Sequence, residues 1–188
     1  DRPVWIAGRA FGGSDTYATT EIIAEASNQI GLDEDDIVFS GRQAIDGDNA
    51  QVGPQVAEKL GIPQVSYAAE ITKEGKTLTI KRMLEDGYMT IKVKTPCLIT
   101  CIKELNTPRY RGVAGVFEAY GKPLTTYDYE ALKDEPLIEV DTIGLKGSPT
   151  NIFKSFTPPQ KGVGRMLEGC DRAACDELVG LLAAKHVI

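Results

Sequence analysis

Residues 41–55 read GRQAIDGDNAQVGPQ. They follow the apolar run Ile37-Val38-Phe39 and lead into Val52–Leu60, where Val52, Val56, Ala57 and Leu60 share one helical face. An apolar run, a glycine-rich loop and a helix make one β-loop-α step. The run is continuous rather than alternating, as in a parallel strand covered on both faces. Gly61 is placed to end the helix, and Pro63 prevents its return. Val65 to Ala68 reads as the next strand.

The same step occurs once before. Val4-Trp5-Ile6-Ala7 reads as a buried strand and Gly8 to Thr16 (GRAFGGSDT) as a glycine-rich turn. Ala18, Ile22, Ala26 and Ile30 then form one apolar stripe at helical spacing. Ser14 or Asp15 can cap this helix, and Gly31 can close it. The acidic run Asp33-Glu34-Asp35-Asp36 reads as a solvated connection. Two strand-loop-helix steps followed by a strand predict a parallel, layered α/β sheet.

Beyond residue 70 the pattern changes. Thr77–Arg82 and Tyr88–Lys94 alternate around Glu85-Asp86-Gly87, which predicts a β-hairpin. Pro96 introduces an apolar strand, Cys97 to Ile102, and a short helix is expected around Val113 to Ala119. Ile143 to Gln160, rich in glycine, serine and proline, reads as an extended arm without a core of its own. A last helix, Asp171 to Lys185, would bury Ala174, Leu178, Leu181 and Leu182. The expected division is an α/β nucleotide-binding domain over 1–142, and an arm and terminal helix contacting a partner over 143–188.

Composition narrows the function. Of 188 residues, 42% are hydrophobic, enough for a real core, and the formal net charge of −6 argues against a general nucleic-acid binder. No apolar run reaches membrane-spanning length. A single histidine near the C-terminus, His186, makes a zinc site or a histidine-based triad improbable. No CxxC pair occurs among Cys97, Cys101, Cys170 and Cys175, and the first two read as buried thiols. The opening Asp1-Arg2-Pro3, directly before a strand, reads as the start of a processed or fragmentary chain.

Both glycine loops sit between a strand's C-terminal end and a helix start, the edge where parallel α/β sheets bind ligands. Helix starts offer unpaired N–H groups and partial positive charge to phosphate, glycine admits close backbone approach, and Arg42 adds a full charge. Either loop by itself reads better as an ordinary capped helix start. Two in consecutive units favour nucleotide binding. Asp46 and Asp48 suit ribose hydroxyls, or helix capping together with Asn49. No bidentate glutamate follows at calcium-loop spacing, so no metal is expected, and neither loop matches GxxxxGK[ST].

Gly41-Arg42-Gln43-Ala44-Ile45-Asp46-Gly47-Asp48, with Gln51 and Gly53, closely resembles the signature loop of the electron transfer flavoprotein β subunit. Gly13-Ser14-Asp15-Thr16-Tyr17-Ala18-Thr19 resembles that family's other nucleotide loop, and Leu105-Asn106-Thr107-Pro108-Arg109-Tyr110 its turn before the partner-recognition loop. The hairpin from Ile80 to Thr100 resembles the β-subunit signature, departing from it at Met89-Thr90. The resemblance implies an adenine-nucleotide-α-hydrolase-like (Rossmann-like) α/β fold with a β-hairpin, an extended arm and a terminal helix. It implies a cytoplasmic heterodimer with an FAD-carrying α subunit, and an N-terminal βαβα segment that this chain lacks.

The family holds AMP in simple carriers and a second FAD, reduced by NADH, in electron-bifurcating members. Pro54 in the loop, Phe11-Gly12-Gly13 before Ser14, and the arm with Gly144-Leu145-Lys146-Gly147-Ser148-Pro149 resemble the bifurcating branch. By resemblance the cofactor contacts are Asp15, Thr16, Thr19, Gly41, Arg42, Gln43, Ala44, Ile45, Asp46, Asp48, Asn49, Ala50, Gln51 and Val52. NAD(H) is assigned to Phe11, Gly12 and Gly13, and partner recognition to Val113. No catalytic residue is expected, because the flavin carries the chemistry. The implied partners are the α subunit, a flavin-dependent acyl-CoA-type dehydrogenase, and ferredoxin or flavodoxin. An AMP-holding carrier and a stand-alone adenine-nucleotide-binding module remain alternatives.

Overall fold

The computed structural model describes residues 2–188. They fall into two compact units, residues 2–151 and Ile152–Ile188. The first unit contains β1 (Val4–Ile6), α1 (Thr16–Ile30), β2 (Ile37–Gly41), α2 (Val52–Leu60), β3 (Gln64–Glu74), β4 (Thr77–Met83), β5 (Tyr88–Lys94) and β6 (Cys97–Cys101). It continues with α3 (Val113–Ala119), β7 (Thr125–Tyr127), α4 (Tyr129–Leu132) and α5 (Gly144–Gly147). The second unit holds α6 (Arg172–Ala184).

The larger sheet has the order β2-β6-β3-β4-β5. β6 lies between β2 and β3 and is parallel to both, with Ile37 opposite Cys97 and Gln64 opposite Leu98. Flanked on both sides, β6 is buried from Cys97 to Thr100. Its side chains alternate between faces. Cys97 and Ile99 join Val65, Ala68, Leu78 and Ile80 in one cluster, while Leu98 meets Val56 and Ala57 of α2 on the other. β3 serves two partners. It runs parallel to β6 up to Ala68, shifts register, and then pairs antiparallel with β4. The expected hairpin is β4–β5, with Ile80 opposite Ile91.

β1 departs from the expected arrangement. It lies outside the larger sheet and pairs in parallel with β7, Val4 opposite Thr125, and Trp5 is 58% exposed. The partner comes from more than a hundred residues away, which local pattern does not reveal. β2 is an edge strand with Phe39 exposed, not a strand covered on both faces. In α1, Ala18, Ile22 and Ala26 are buried as the stripe predicts, and Ile30 emerges at the exposed end. Ile22 and Ala26 pack with Leu132, Ile138 and Ile143.

The segment read as an arm therefore starts inside the first unit. Ile143 is core, and residues 144–147 form a short helix. In the second unit, Asp171 caps α6 by accepting from the Ala174 amide at 2.9 Å. The expected buried face of α6 is not buried, and Leu178 and Leu181 are exposed. Within this unit no second layer is present to cover them.

Candidate functional site

The site is built from the first turns of α1 and α2. Asp15 is the N-cap of α1, its carboxylate accepting from the Ala18 amide at 3.0 Å. The other carboxylate oxygen accepts from the Thr150 amide at 2.8 Å. Residues 144–150 lock this loop further. The Gly144 amide donates to Ser14 Oγ, the Asp15 amide to Ser148 Oγ, and the Leu145 amide to the Gly12 carbonyl. Gly144 and Gly13 both have positive φ. A Cβ on Gly144 would fall 2.3 Å from the Ala10 carbonyl oxygen, so only glycine fits that crossing.

α2 begins differently. Its N-cap, Gln51, gives no side-chain cap, and Asp46, Asp48 and Asn49 do not cap the helix either. The Asp48 carboxylate instead accepts from the Gln43 side-chain amide. Asp48 and Ala50 both lie in the left-handed region, at φ 51° and 53°. Gly53, in the first turn, is buried against the strand ends: a Cβ there would stand 2.8 Å from Thr100 Cγ2 and 3.3 Å from Ser40 Oγ. The early amides of α2 thus sit directly over β2 and β6 with no internal acceptor from a cap.

The helices are tied side by side. Thr16 Oγ1 donates to Gln51 Oε1 at 2.9 Å, and Thr20 Oγ1 to Gln55 Oε1 at 3.0 Å. Lower down, Lys59 of α2 pairs with the buried Glu21 of α1 at 2.8 Å. Burial pushes the Glu21 carboxyl up. The hydrogen bond from Lys59, with the hydroxyls of Thr142 and Tyr17, outweighs this and leaves it below its ordinary value. Lys59 is raised, chiefly by its bond to Glu21.

Between the two helix starts lie two adjoining hollows of about 290 and about 560 Å³. They share Thr16, Ala44, Asn49, Gln51 and Val52 as walls. Gly41, Arg42, Gln43, Asp48 and Ala50 line the first, and Asp15, Thr19 and Asp46 the second. The structure so brings together all the expected cofactor residues except Ile45, which is 98% exposed and lines neither. Of the three carboxylates at the cleft, Asp15 and Asp48 are already engaged by amide donors, and Arg42 supplies a positive charge.

Phe11, Gly12 and Gly13 do not line these hollows. The Phe11 ring packs into the α1 cluster, edge-on to Tyr129 with centroids 6.4 Å apart, while the two glycines are exposed. Val113 opens α3 and is 76% exposed, beside exposed Phe117 and Tyr120. The expected contacts left out Ser40 and Thr150, and also Gly53 and Ser148, which stood only within the quoted loop and arm motifs. A glycine in a helix's first turn is a readable sign of close packing. Thr150 lies far along the chain and carries no local sign, and nothing local ties Ser148 to the loop before α1. Among the described residues no helix is long and apolar enough to cross a membrane.

The electron transfer flavoprotein domain matches residues 1–132. The chain is 64% identical to the acryloyl-CoA reductase electron transfer subunit gamma of Anaerotignum propionicum, over all of this chain and 71% of that protein. It is 47% identical to the electron transfer flavoprotein subunit beta of Thermoanaerobacterium thermosaccharolyticum, and 43% identical to the caffeyl-CoA reductase-Etf complex subunit CarD of Acetobacterium woodii. Both matches cover all of this chain and 70% of the relative. The two-loop cleft, the mixed α/β fold and these relatives place the chain in the electron transfer flavoprotein family, as a β-type electron transfer subunit.

Proposed function

We propose that the cleft binds FAD, and that the chain works with an FAD-carrying α subunit to pass electrons from NADH to ferredoxin or flavodoxin and to an acyl-CoA-type dehydrogenase. This is flavin-based electron bifurcation. The observation that carries the nucleotide reading is the uncapped start of α2. Its free amides face a cleft held open by two non-glycine residues with positive φ. Such strain persists where the surroundings impose it, as at ligand clamps, and an open helix start suits a diphosphate.

The fit follows residue by residue. The Val52 and Gly53 amides would take the phosphates, and Gly53, lacking a Cβ, lets the start of α2 sit close on the strand ends at Ser40 and Thr100. Asp46 is the carboxylate left without an internal hydrogen bond, and it suits a ribose hydroxyl. Asp15 keeps its loop in place through Ala18 and Thr150, and Thr16 and Thr19 line the wall beside it. FAD, when bound, supplies the hydride and electron chemistry, and the protein sets its position and potential.

NADH is assigned to the exposed Gly12-Gly13 surface, with Phe11 supporting it from the core. The exposed face of α3 around Val113 is assigned to the dehydrogenase. The exposed apolar residues of the second unit, Ile152, Phe153 and Phe156, are assigned to the α subunit. The names of two relatives as subunits of acyl-CoA-type reductase complexes support the assignment of the terminal acceptor. Extracting the cofactors of the complex tests the reading. FAD from both subunits is expected. AMP in place of the second FAD would make the chain a simple carrier subunit.

A further inference from the structure

β3 and β6 fall out of step at one point. Val65 lies opposite Ile99 and Ala68 opposite Cys101, so Ser66 and Tyr67 together face the single residue Thr100. This is a β-bulge, which disrupts the ladder locally and turns a side chain in a new direction. Tyr67 takes up the bulge at φ 59°, in the left-handed region that an aromatic residue seldom occupies. Its amide donates to Thr100 Oγ1 at 3.0 Å, so a side chain supplies the acceptor that the ladder no longer offers. Its ring lies beneath the Arg42 guanidinium, with Cζ 5.3 Å from the ring centroid, inside cation–π range.

Thr100, buried in β6, is thus used from two sides. Its Oγ1 holds the Tyr67 backbone, and its Cγ2 stands against the Cβ position of Gly53 in the first turn of α2. One residue therefore supports both the open helix start and, through Tyr67, the cation of the loop before it. Arg42 is exposed and lines the hollow under the α2 start. Among the described residues it has no ion-pair partner. A free arginine on a loop samples many rotamers, and binding takes that freedom away. Seated on an aromatic face, it is oriented before a ligand arrives. Tyr67 and Thr100 line neither hollow, so they reach the cleft only through other residues. Backbone strain of the kind held at Tyr67 gathers at ligand clamps, where it serves preorganisation.

We infer that Thr100 and Tyr67 are positioning residues: the bulge presents the tyrosine ring as a seat that fixes the Arg42 guanidinium beside the cleft, ready for a phosphate of the bound nucleotide. The inference rests on the nucleotide reading above. It gives Thr100 two separable duties. The methyl supports α2, and the hydroxyl acts on Arg42 through Tyr67. Valine at this position keeps the methyl and loses the acceptor, whereas serine does the reverse.

The test titrates the cofactor-stripped heterodimer with AMP and, separately, with adenosine, which lacks the phosphate. All variants share one α subunit, so differences among them report this cleft. Arg42→Gln should bind AMP about tenfold more weakly, the loss typical of a hydrogen bond to a charged group. Tyr67→Leu and Thr100→Val should each lose about fivefold, the weight of one cation–π contact. Adenosine affinity should stay unchanged in all three. Tyr67→Phe keeps the ring and should bind AMP as wild type does, and Thr100→Ser, which keeps the acceptor, should bind it more tightly than Thr100→Val. The double variant Arg42→Gln/Tyr67→Leu should be no weaker than Arg42→Gln, because the ring acts only through the guanidinium. Unchanged AMP affinity in Tyr67→Leu overturns the inference and leaves the nucleotide reading standing. Equal losses of AMP and adenosine also overturn it, because Tyr67 then serves the fold, as do additive losses in the double variant. A wild-type complex whose β chain takes neither AMP nor FAD overturns both.

Discussion

The first turns of α1 and α2 stand side by side and are built in opposite ways. α1 starts on Asp15, which accepts from its own helix and from Thr150. α2 starts on Gln51 with no side-chain cap, after a loop containing two left-handed non-glycine residues. A helix that satisfies its own N-terminus is scaffold. One that leaves its amides open, with a glycine in its first turn over the strand ends, is kept for an acceptor from outside. The difference separates the half of the cleft that holds shape from the half that holds ligand.

The largest effect should come from uncoupling the two helices. Lys59→Met leaves the buried Glu21 carboxylate without its cation, an expected loss of about 3 kcal/mol in urea unfolding at neutral pH. The folded pKa of Glu21 is depressed, so the pair's contribution is present above the ordinary value of 4.5 and is lost as pH falls through the lower folded value. The gap between wild type and variant should therefore close in acid below that value. Lys59, raised above 10.5, keeps its part of the contribution until strongly alkaline pH. A gap constant from neutral to strongly acidic pH would mean that packing, not charge, joins the helices.

Gly53→Ala comes next. Its methyl would press on Thr100 Cγ2, so a loss of about 2 kcal/mol is expected despite alanine's better helix propensity. Adding Thr100→Ser removes the opposing methyl and should restore most of the melting temperature. Failure of that rescue would show that the glycine's role is not close packing.

Asp15→Ala removes the α1 cap and should cost ~1 kcal/mol, somewhat more with the Thr150 link. Nucleotide affinity should fall further than this stability loss explains, since the loop is also a cleft wall. An unchanged nucleotide content would confine Asp15 to scaffold. The smallest effect belongs to Gln51→Ala. The Thr16–Gln51 hydrogen bond is exposed, and stability should change by less than about 0.5 kcal/mol. A loss as large as that of Asp15→Ala would mean that α2 is capped after all, and the contrast between the two helix starts would fail.

Much of this was readable in advance because it is local. The Asp15 cap, the α1 stripe, the Gly61 closure, the β4–β5 hairpin and the helix at Val113 follow from residues within a few positions of one another. What escaped is long-range. β1 finds its partner at Thr125, and Ile143 joins a core whose other members include Ile22. Thr150 reaches Asp15 across 135 residues. The apolar spacing of α6 read as a buried face, but spacing shows only that a face could be covered, not that this unit covers it.

The strand order also carries a consequence for how the site comes into being. The β3-β4-β5 meander joins neighbours through short turns, whereas β2 meets β6 about sixty residues further along the chain. Local pairing closes small loops and forms early. The β2–β6 registration must wait for a long loop to close, with its larger entropic cost. The floor beneath Gly53, made by Ser40 of β2 and Thr100 of β6, is completed by that late pairing. Nucleotide capture should accordingly lag the burial of Leu78 and Ile80 during refolding, which makes ligand uptake a reporter of the final step rather than of collapse.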